Sequence, residues 1–156
     1  MLSEVESYLD RLQDRHAEVL RVLDGLDASA LDWKPLDAKV NSLAVLGVHC
    51  LGSERHWVHE IIGGKKIDRD REAEFRARAI EVASLQAMYA AAALESKHLL
   101  SQLAASDMDA LRGTPPHTHT VRWCLLHVVE HYSEHLGQMW LTRQLWENKN
   151  VRPHEI

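Results

Sequence analysis

The stretch from residue 120 to residue 145 constrains the fold most, because it carries a histidine at every fourth position of an amphipathic segment. His127, His131 and His135 follow this spacing, and residues four apart lie one above the other on the same face of an α-helix. His127 and His135 are separated by about 12 Å along such a helix, whereas metal–nitrogen bonds are about 2.1 Å long. One ion can therefore bind only one adjacent pair, and its remaining ligands must come from another helix.

The composition is typical of one globular domain, and we treat residues 1–156 as that domain. Hydrophobic residues make up 46% of the chain and charged residues 26%. The net charge of −5 argues against nucleic acid or an anionic membrane as a partner, because both need a basic surface. No apolar run is long enough to span a membrane, and the acidic N-terminus does not resemble a signal peptide. Cys50 and Cys124 lie outside any CxxC pair, so we expect buried, reduced thiols in a cytoplasmic protein.

Hydrophobic periodicity predicts four helices of about 20 to 27 residues, which together form an all-α four-helix bundle. A capping box at Ser3–Glu6 begins the first helix, and Ser42, Ser84 and Thr120 are the predicted caps of the other three. The predicted segments are 3 to about 25, 43–62, 84 to about 104, and 120 to about 148.

Three connectors join these helices. Residues 27–41 contain a possible short helical turn at 29–32, and residues 105–119 form an irregular connector with two prolines. The charged segment 65–82 is long enough to run the length of a bundle, so helices two and three can be parallel with a long crossover between them.

Two familiar metal motifs are matched only in part. The strings at 127–131 and 131–135 both read HxxEH, the motif of inverted zinc peptidases, but such a peptidase normally needs a larger chain with a distant acidic ligand. Glu130 and Glu134 are expected to face solvent. A di-iron site needs ExxH on two helices, and only Glu95–His98 has that spacing. The sequence therefore favours a mononuclear site with histidine ligands.

The second helix offers the histidines that could complete this site. His49 and His56 are seven residues apart and so share a helical face, while His59 lies to one side. His16 lies on the apolar face of the first helix, and we interpret it as a solvated edge residue rather than a neighbour of the ligands. The alternative for all these histidines is a set of hydrogen-bonded bundle residues without a metal.

Two strings resemble the signatures of the DinB/YfiT-like superfamily: HYSEHLGQ at 131–138 and SLAVLGVH at 42–49. The resemblance covers essentially the whole chain. It implies an up-down-down-up bundle that forms a homodimer, with a divalent ion such as zinc or nickel bound by His49, His131 and His135.

The resemblance also gives roles to the neighbours of these ligands. His127 would lie beside the ligands or line the cavity, and Gln138 would form a hydrogen bond near the site. Gly137 would either let a neighbouring backbone come close or serve only for packing.

Members of that superfamily include thiol-dependent transferases and isomerases that use small cytosolic thiols. The resemblance therefore implies a metal-dependent transferase, isomerase or hydrolase acting on a small molecule, with a low-molecular-weight thiol as the candidate partner. Three imidazoles leave a coordination position open for a water or a thiolate, and His127, His56 or Glu54 would handle protons. The alternative is a non-catalytic metal-binding module of the superfamily with a stress-response or binding role, in which the ion is sealed from solvent.

Overall fold

The computed structural model describes residues 1–36 and 40–151, with side chains through Lys149, and it is mostly helical, as the sequence predicts. The α-helices of the described part are α1 (Ser3–Leu23), α2 (Ala28–Asp32), α3 (Leu43–Glu54), α4 (Arg71–Glu74), α5 (Val82–Leu100) and α6 (Val121–Val151). Helix α3 continues directly into a π-helical segment at Arg55–Ile62, and a 3₁₀ turn lies at Ala105–Asp107.

The predicted helix starts are correct where a side chain caps the backbone. The hydroxyl of Ser42 accepts from the amide of Val45 at 3.3 Å, and the hydroxyl of Thr120 accepts from the amide of Trp123 at 3.1 Å. The capping box predicted at Ser3 is wrong, because α1 begins at Ser3 itself and the capping position before it is Leu2, which makes no side-chain hydrogen bond to the helix. Ser84 is likewise not a cap, since α5 begins two residues earlier.

The second predicted helix changes character halfway along. From Arg55 the backbone is π-helical, and the segment closes with a bond from the amide of Gly63 to the carbonyl of Val58 at 2.9 Å. Gly64 follows with φ of +68°, a left-handed conformation that favours glycine and ends the helix. The π-helix changes the residues per turn from Arg55 onward, which the sequence does not predict.

The connector predicted over 105–119 contains a β-hairpin, which corrects the all-α prediction. Strands β1 (Leu111–Thr114) and β2 (His117–Thr120) pair antiparallel, with Leu111 opposite Thr120. Gly113 has φ of +101°, and a Cβ there would meet the carbonyl oxygen of His117. Strands of only four residues contain too few positions for an alternation of apolar and polar side chains to identify them in the sequence.

One buried apolar cluster joins residues of α1, α3, α5 and α6. At one end of the molecule, Arg122 at the start of α6 donates to Glu4 at the start of α1 at 2.6 Å. At the other end, Arg143 donates to the carbonyl oxygen of Val22 near the end of α1 at 3.0 Å. Cys50 and Cys124 are buried free thiols, as predicted. Among the described residues, no helix is both long and apolar enough to cross a membrane.

Candidate metal centre

The structure brings three of the predicted histidines together at one point. Helix α3 supplies His49, and α6 supplies His131 and His135, the pair separated by one turn. One ring nitrogen of each lies within 4.8 Å of the others, and Nε2 of His49 is 3.2 Å from Nε2 of His131. Two nitrogens bound to one tetrahedral ion are about 3.4 Å apart. These three residues, hereafter the triad, could hold one metal ion.

The pKa values of two triad residues, His49 and His131, suit metal binding. Burial lowers the pKa of His49, although its hydrogen bond with Glu74 opposes the shift. Burial, reinforced by His135 and His49, lowers the pKa of His131 to about 3. Neutral imidazoles are the form that binds a metal. Nδ1 of His131 is buried without a hydrogen-bond partner, which is unusual for a polar atom in a protein interior.

Glu74, which the sequence analysis did not identify, orients His49. Its Oε2 lies 2.9 Å from Nδ1 of His49, and Arg69 donates to both carboxylate oxygens at 2.7 and 2.9 Å. The Glu74 carboxylate occupies the space that a Cβ at Gly52 would need, so glycine at that position permits the contact. A carboxylate that accepts from Nδ1–H leaves Nε2 of the same ring free to bind a metal.

The signature residues after the triad behave differently from one another. Oε1 of Gln138 is 3.1 Å from Nδ1 of His135, so Gln138 forms the predicted hydrogen bond near the site. Gly137 is exposed, and no atom of the described chain lies within 4 Å of where its Cβ would be. The close backbone approach considered for Gly137 is therefore absent from the part of the chain that the structure describes.

The remaining candidate histidines have other partners. The ring of His127 stacks on Trp123 with centroids 4.8 Å apart and meets the edge of Trp57 at 5.1 Å. His56 pairs with Glu60 at 2.8 Å, and the buried His59 contacts the Ser96 hydroxyl at 3.0 Å.

The acidic residues of the two partial motifs lie away from the triad. Glu130 and Glu134 are exposed, as predicted. Glu95 pairs with Lys65, so the ExxH spacing of α5 serves a surface ion pair.

The edge interpretation of His16 is wrong. His16 is buried, with Nε2 2.6 Å from Oε2 of Glu54, and Glu54 is itself fully buried. The hydroxyls of Ser96 and Tyr132 donate to the same carboxylate at 2.6 and 2.8 Å. This group of four residues, hereafter the Glu54 cluster, draws one member from each of four helices. Because Glu54 has no exposed surface, the structure argues against its predicted role as a proton carrier.

Two cavities of different character border the site residues. One of about 640 Å³ is lined by His135 and Gln138 together with apolar residues of α6 and of the connector after α2. The other, of about 470 Å³, is lined by Glu74, Arg69 and Gly52, and seven of its fifteen lining residues are charged.

Comparison with known proteins agrees with this architecture. A DinB-like protein from Bacillus cereus superposes with a TM-score of 0.70 at 14% identity, covering 89% of this chain and 90% of that chain. A conserved protein from Enterococcus faecalis gives 0.67 at 18% identity, covering 90% and 95%. At these identities the likeness shows a shared fold. No curated protein matches this chain.

A comparison with protein-family models identifies the family of the chain, whereas the structural neighbours show only its fold. The family model for mycothiol-S-transferase matches residues 7–148, most of the chain. The chain therefore belongs to the mycothiol-S-transferase family, which confirms the resemblance to DinB-like proteins found in its sequence.

Proposed function

We propose that this protein is a metal-dependent transferase that joins a low-molecular-weight thiol to a small electrophile. The observation that carries the proposal is the triad itself, three imidazole nitrogens within 4.8 Å of one another. Its position beside a cavity of about 640 Å³ and the thiol transfer named in the family description support the same function.

In this proposal His49, His131 and His135 bind one divalent ion, zinc or nickel. An ion held by three neutral imidazoles keeps a coordination position open and lowers the pKa of a bound thiol, so that the thiol is deprotonated. Glu74 and Gln138 hold the rings of His49 and His135 in the orientation that such ligands need.

The reaction is a substitution at carbon. The thiol sulfur forms a bond to the electrophilic carbon, the bond from that carbon to its leaving group breaks, and the leaving group departs with the electron pair. The thiol proton passes to solvent. The chain contributes mainly by holding both reactants together and by excluding water from the bound electrophile.

The cavity beside His135 supports a catalytic role over the non-catalytic alternative. A sealed ion with a fourth protein ligand would fit a purely structural or binding module. Within the described residues the candidate group contains three residues, and one of them, His135, lines a cavity of small-molecule size. An isomerase or a hydrolase would use the same triad with a different substrate.

We also propose that residues 1–156 form one up-down-down-up bundle that pairs as a homodimer. The contact of Arg122 with Glu4 supports parallel α1 and α6. The bond from the Tyr89 hydroxyl to the Gly47 carbonyl and the contact of Ser96 with Glu54 support parallel α3 and α5. Light scattering of the purified chain tests the dimer.

The test of function measures thiol conjugation with mycothiol and monobromobimane, whose thioether product is fluorescent. We expect the zinc- or nickel-loaded protein to accelerate the reaction, and we expect the chelator-treated protein and the His135→Ala variant to show only the uncatalysed rate. The Leu94→Asn variant, altered at an exposed position of α5, should match wild type. Equal rates with loaded and metal-free protein, or no acceleration with mycothiol, glutathione or cysteine, would contradict the proposal.

A further inference from the structure

Among the residues that the structure describes, the cavity beside His135 is lined mainly by apolar side chains. Its polar lining residues are His135, Gln138, Asn41 and Thr142, and no described lining residue is Asp, Glu, Lys or Arg. The cavity lined by Glu74, in contrast, has seven charged residues among fifteen. The cavity beside His135 therefore offers mainly apolar surface to a ligand.

Leucines at this cavity remain unusually accessible. Leu141 is 58% exposed and Leu36 is 64% exposed, while Leu46 is buried. A ligand that covered these side chains would remove apolar surface from water, which stabilises the complex by about 25 cal/mol for each Å² buried. The volume of about 640 Å³ lies within the range of roughly 300–1,000 Å³ of small-molecule sites. Size and exposure therefore favour a small apolar ligand.

The same cavity borders the proposed metal centre. His135 lines it as a triad member, and Gln138, the hydrogen-bond partner of His135, lines it as well. A transferase must hold two reactants next to each other, so a mainly apolar cavity at one ligand suits the apolar part of one of them.

We propose that this cavity binds the apolar part of the electrophilic co-substrate and leaves its reacting carbon beside His135. The proposal rests on the transferase function above and adds the class of the second substrate, an electrophile with an alkyl chain. The leucines at the cavity then set the preference for chain length.

Binding is tested without turnover, using primary alcohols as unreactive analogues. Methyl NMR of the zinc-loaded protein is recorded with 1-butanol, 1-hexanol and 1-octanol. We expect saturable shifts of the Leu36 and Leu141 methyls, with affinity rising about threefold to fourfold for each added methylene. The methyls of Leu94, exposed on α5 and outside the cavity, should not shift.

A matched pair of variants ties this binding to the cavity. Leu141→Asn should weaken 1-octanol binding by at least tenfold and flatten the dependence on chain length, whereas Leu94→Asn should change neither. Shifts without saturation, or equal effects of the two substitutions, would overturn the proposal. A second copy covering this face would also overturn it, and would appear as alcohol-resistant methyl signals together with a halved mass for Leu141→Asn in light scattering.

Turnover with 1-bromobutane, 1-bromohexane and 1-bromooctane completes the test. In each reaction the thiol sulfur forms a bond to the terminal carbon, bromide leaves with the electron pair and the thiol proton passes to solvent. KM should fall along the series in wild type and stay nearly constant in Leu141→Asn. Saturable alcohol binding without any turnover would leave an apolar binding site and overturn its role in transfer, whereas turnover without chain-length dependence would overturn the cavity assignment alone.

Discussion

The triad and the Glu54 cluster are both built from buried or half-buried polar groups, but they differ in how those groups are satisfied. In the Glu54 cluster one carboxylate is contacted by His16, Ser96 and Tyr132 at 2.6 to 2.8 Å. In the triad Nδ1 of His131 has no partner, and its Nε2 faces another imidazole at 3.2 Å.

This difference separates polar groups that stabilise the fold from polar groups that are available to bind a ligand. Buried polar atoms are normally paired, because an unpaired one costs about 1–3 kcal/mol. The Glu54 cluster meets that requirement within the chain. In the triad Nδ1 of His131 stays unpaired, and ring nitrogens that converge, with lowered pKa values at His49 and His131, are typical of a functional site. The predictions below test this division, beginning with the largest effect.

Glu54→Gln should lower the free energy of unfolding by about 3 kcal/mol, because the amide nitrogen of Gln cannot accept the hydrogen bonds that the buried carboxylate accepts. Urea unfolding of the metal-free protein measures the change. Glu6→Gln, at an exposed position of α1, is the control and should change stability by less than about 0.5 kcal/mol. A loss as small as that of the control would mean that the Glu54 cluster does not stabilise the fold.

The same variant should alter the response to acid. Burial alone would raise the pKa of Glu54, but the hydrogen bonds from His16, Ser96 and Tyr132 outweigh burial and lower it. The stabilisation is therefore complete above the unfolded pKa of about 4.3 and is lost as the pH falls through the lower folded pKa. Wild type should lose stability more steeply than Glu54→Gln below about pH 4.3, and parallel curves would contradict this.

The contrast also explains what sequence reasoning could and could not find. The four long helices and the column His127, His131 and His135 follow local periodicity, which a sequence displays directly. The choice of His131 with His135, like that of His49, came from the resemblance to the superfamily. Glu74 lies 25 residues from His49 along the chain, in a charged connector without apolar periodicity, so only the folded structure brings them together.

The sequence analysis also missed the Glu54 cluster and the π-helical segment. Tyr132 and Glu54 are 78 residues apart. The sequence alone does not distinguish a buried glutamate from an exposed one, because the hydrogen-bond partners that permit burial come from distant parts of the chain. The π-helical segment at Arg55–Ile62 has helical periodicity that does not distinguish it from an α-helix.

At the triad, Glu74→Gln should weaken metal binding by about 10-fold to 100-fold, because the carboxylate fixes the ring of His49. The fold should persist, since the apolar core is untouched. Chelator competition measures the affinity, and Glu72→Gln on the exposed side of α4 is the matched control. Equal affinities for these two variants would show that Glu74 does not orient a ligand.

The smallest effect is expected at His127. His127→Ala should keep the full metal content, because His127 packs against Trp123 and Trp57 rather than within the triad. Its cost is the loss of aromatic contacts, about 0.5–1.5 kcal/mol in thermal unfolding. Metal analysis of His127→Ala beside His135→Ala gives the comparison, and an empty His127→Ala with a loaded His135→Ala would reverse the assignment.

The central claim is that His49, His131 and His135 bind one divalent ion, and anomalous X-ray scattering from crystals of the untagged, metal-loaded protein tests it most directly. The account predicts a single anomalous peak, about 2.1 Å from one nitrogen of each of these three residues. A peak bound through His127 instead of His135, or no peak within bonding distance of His49, would contradict it.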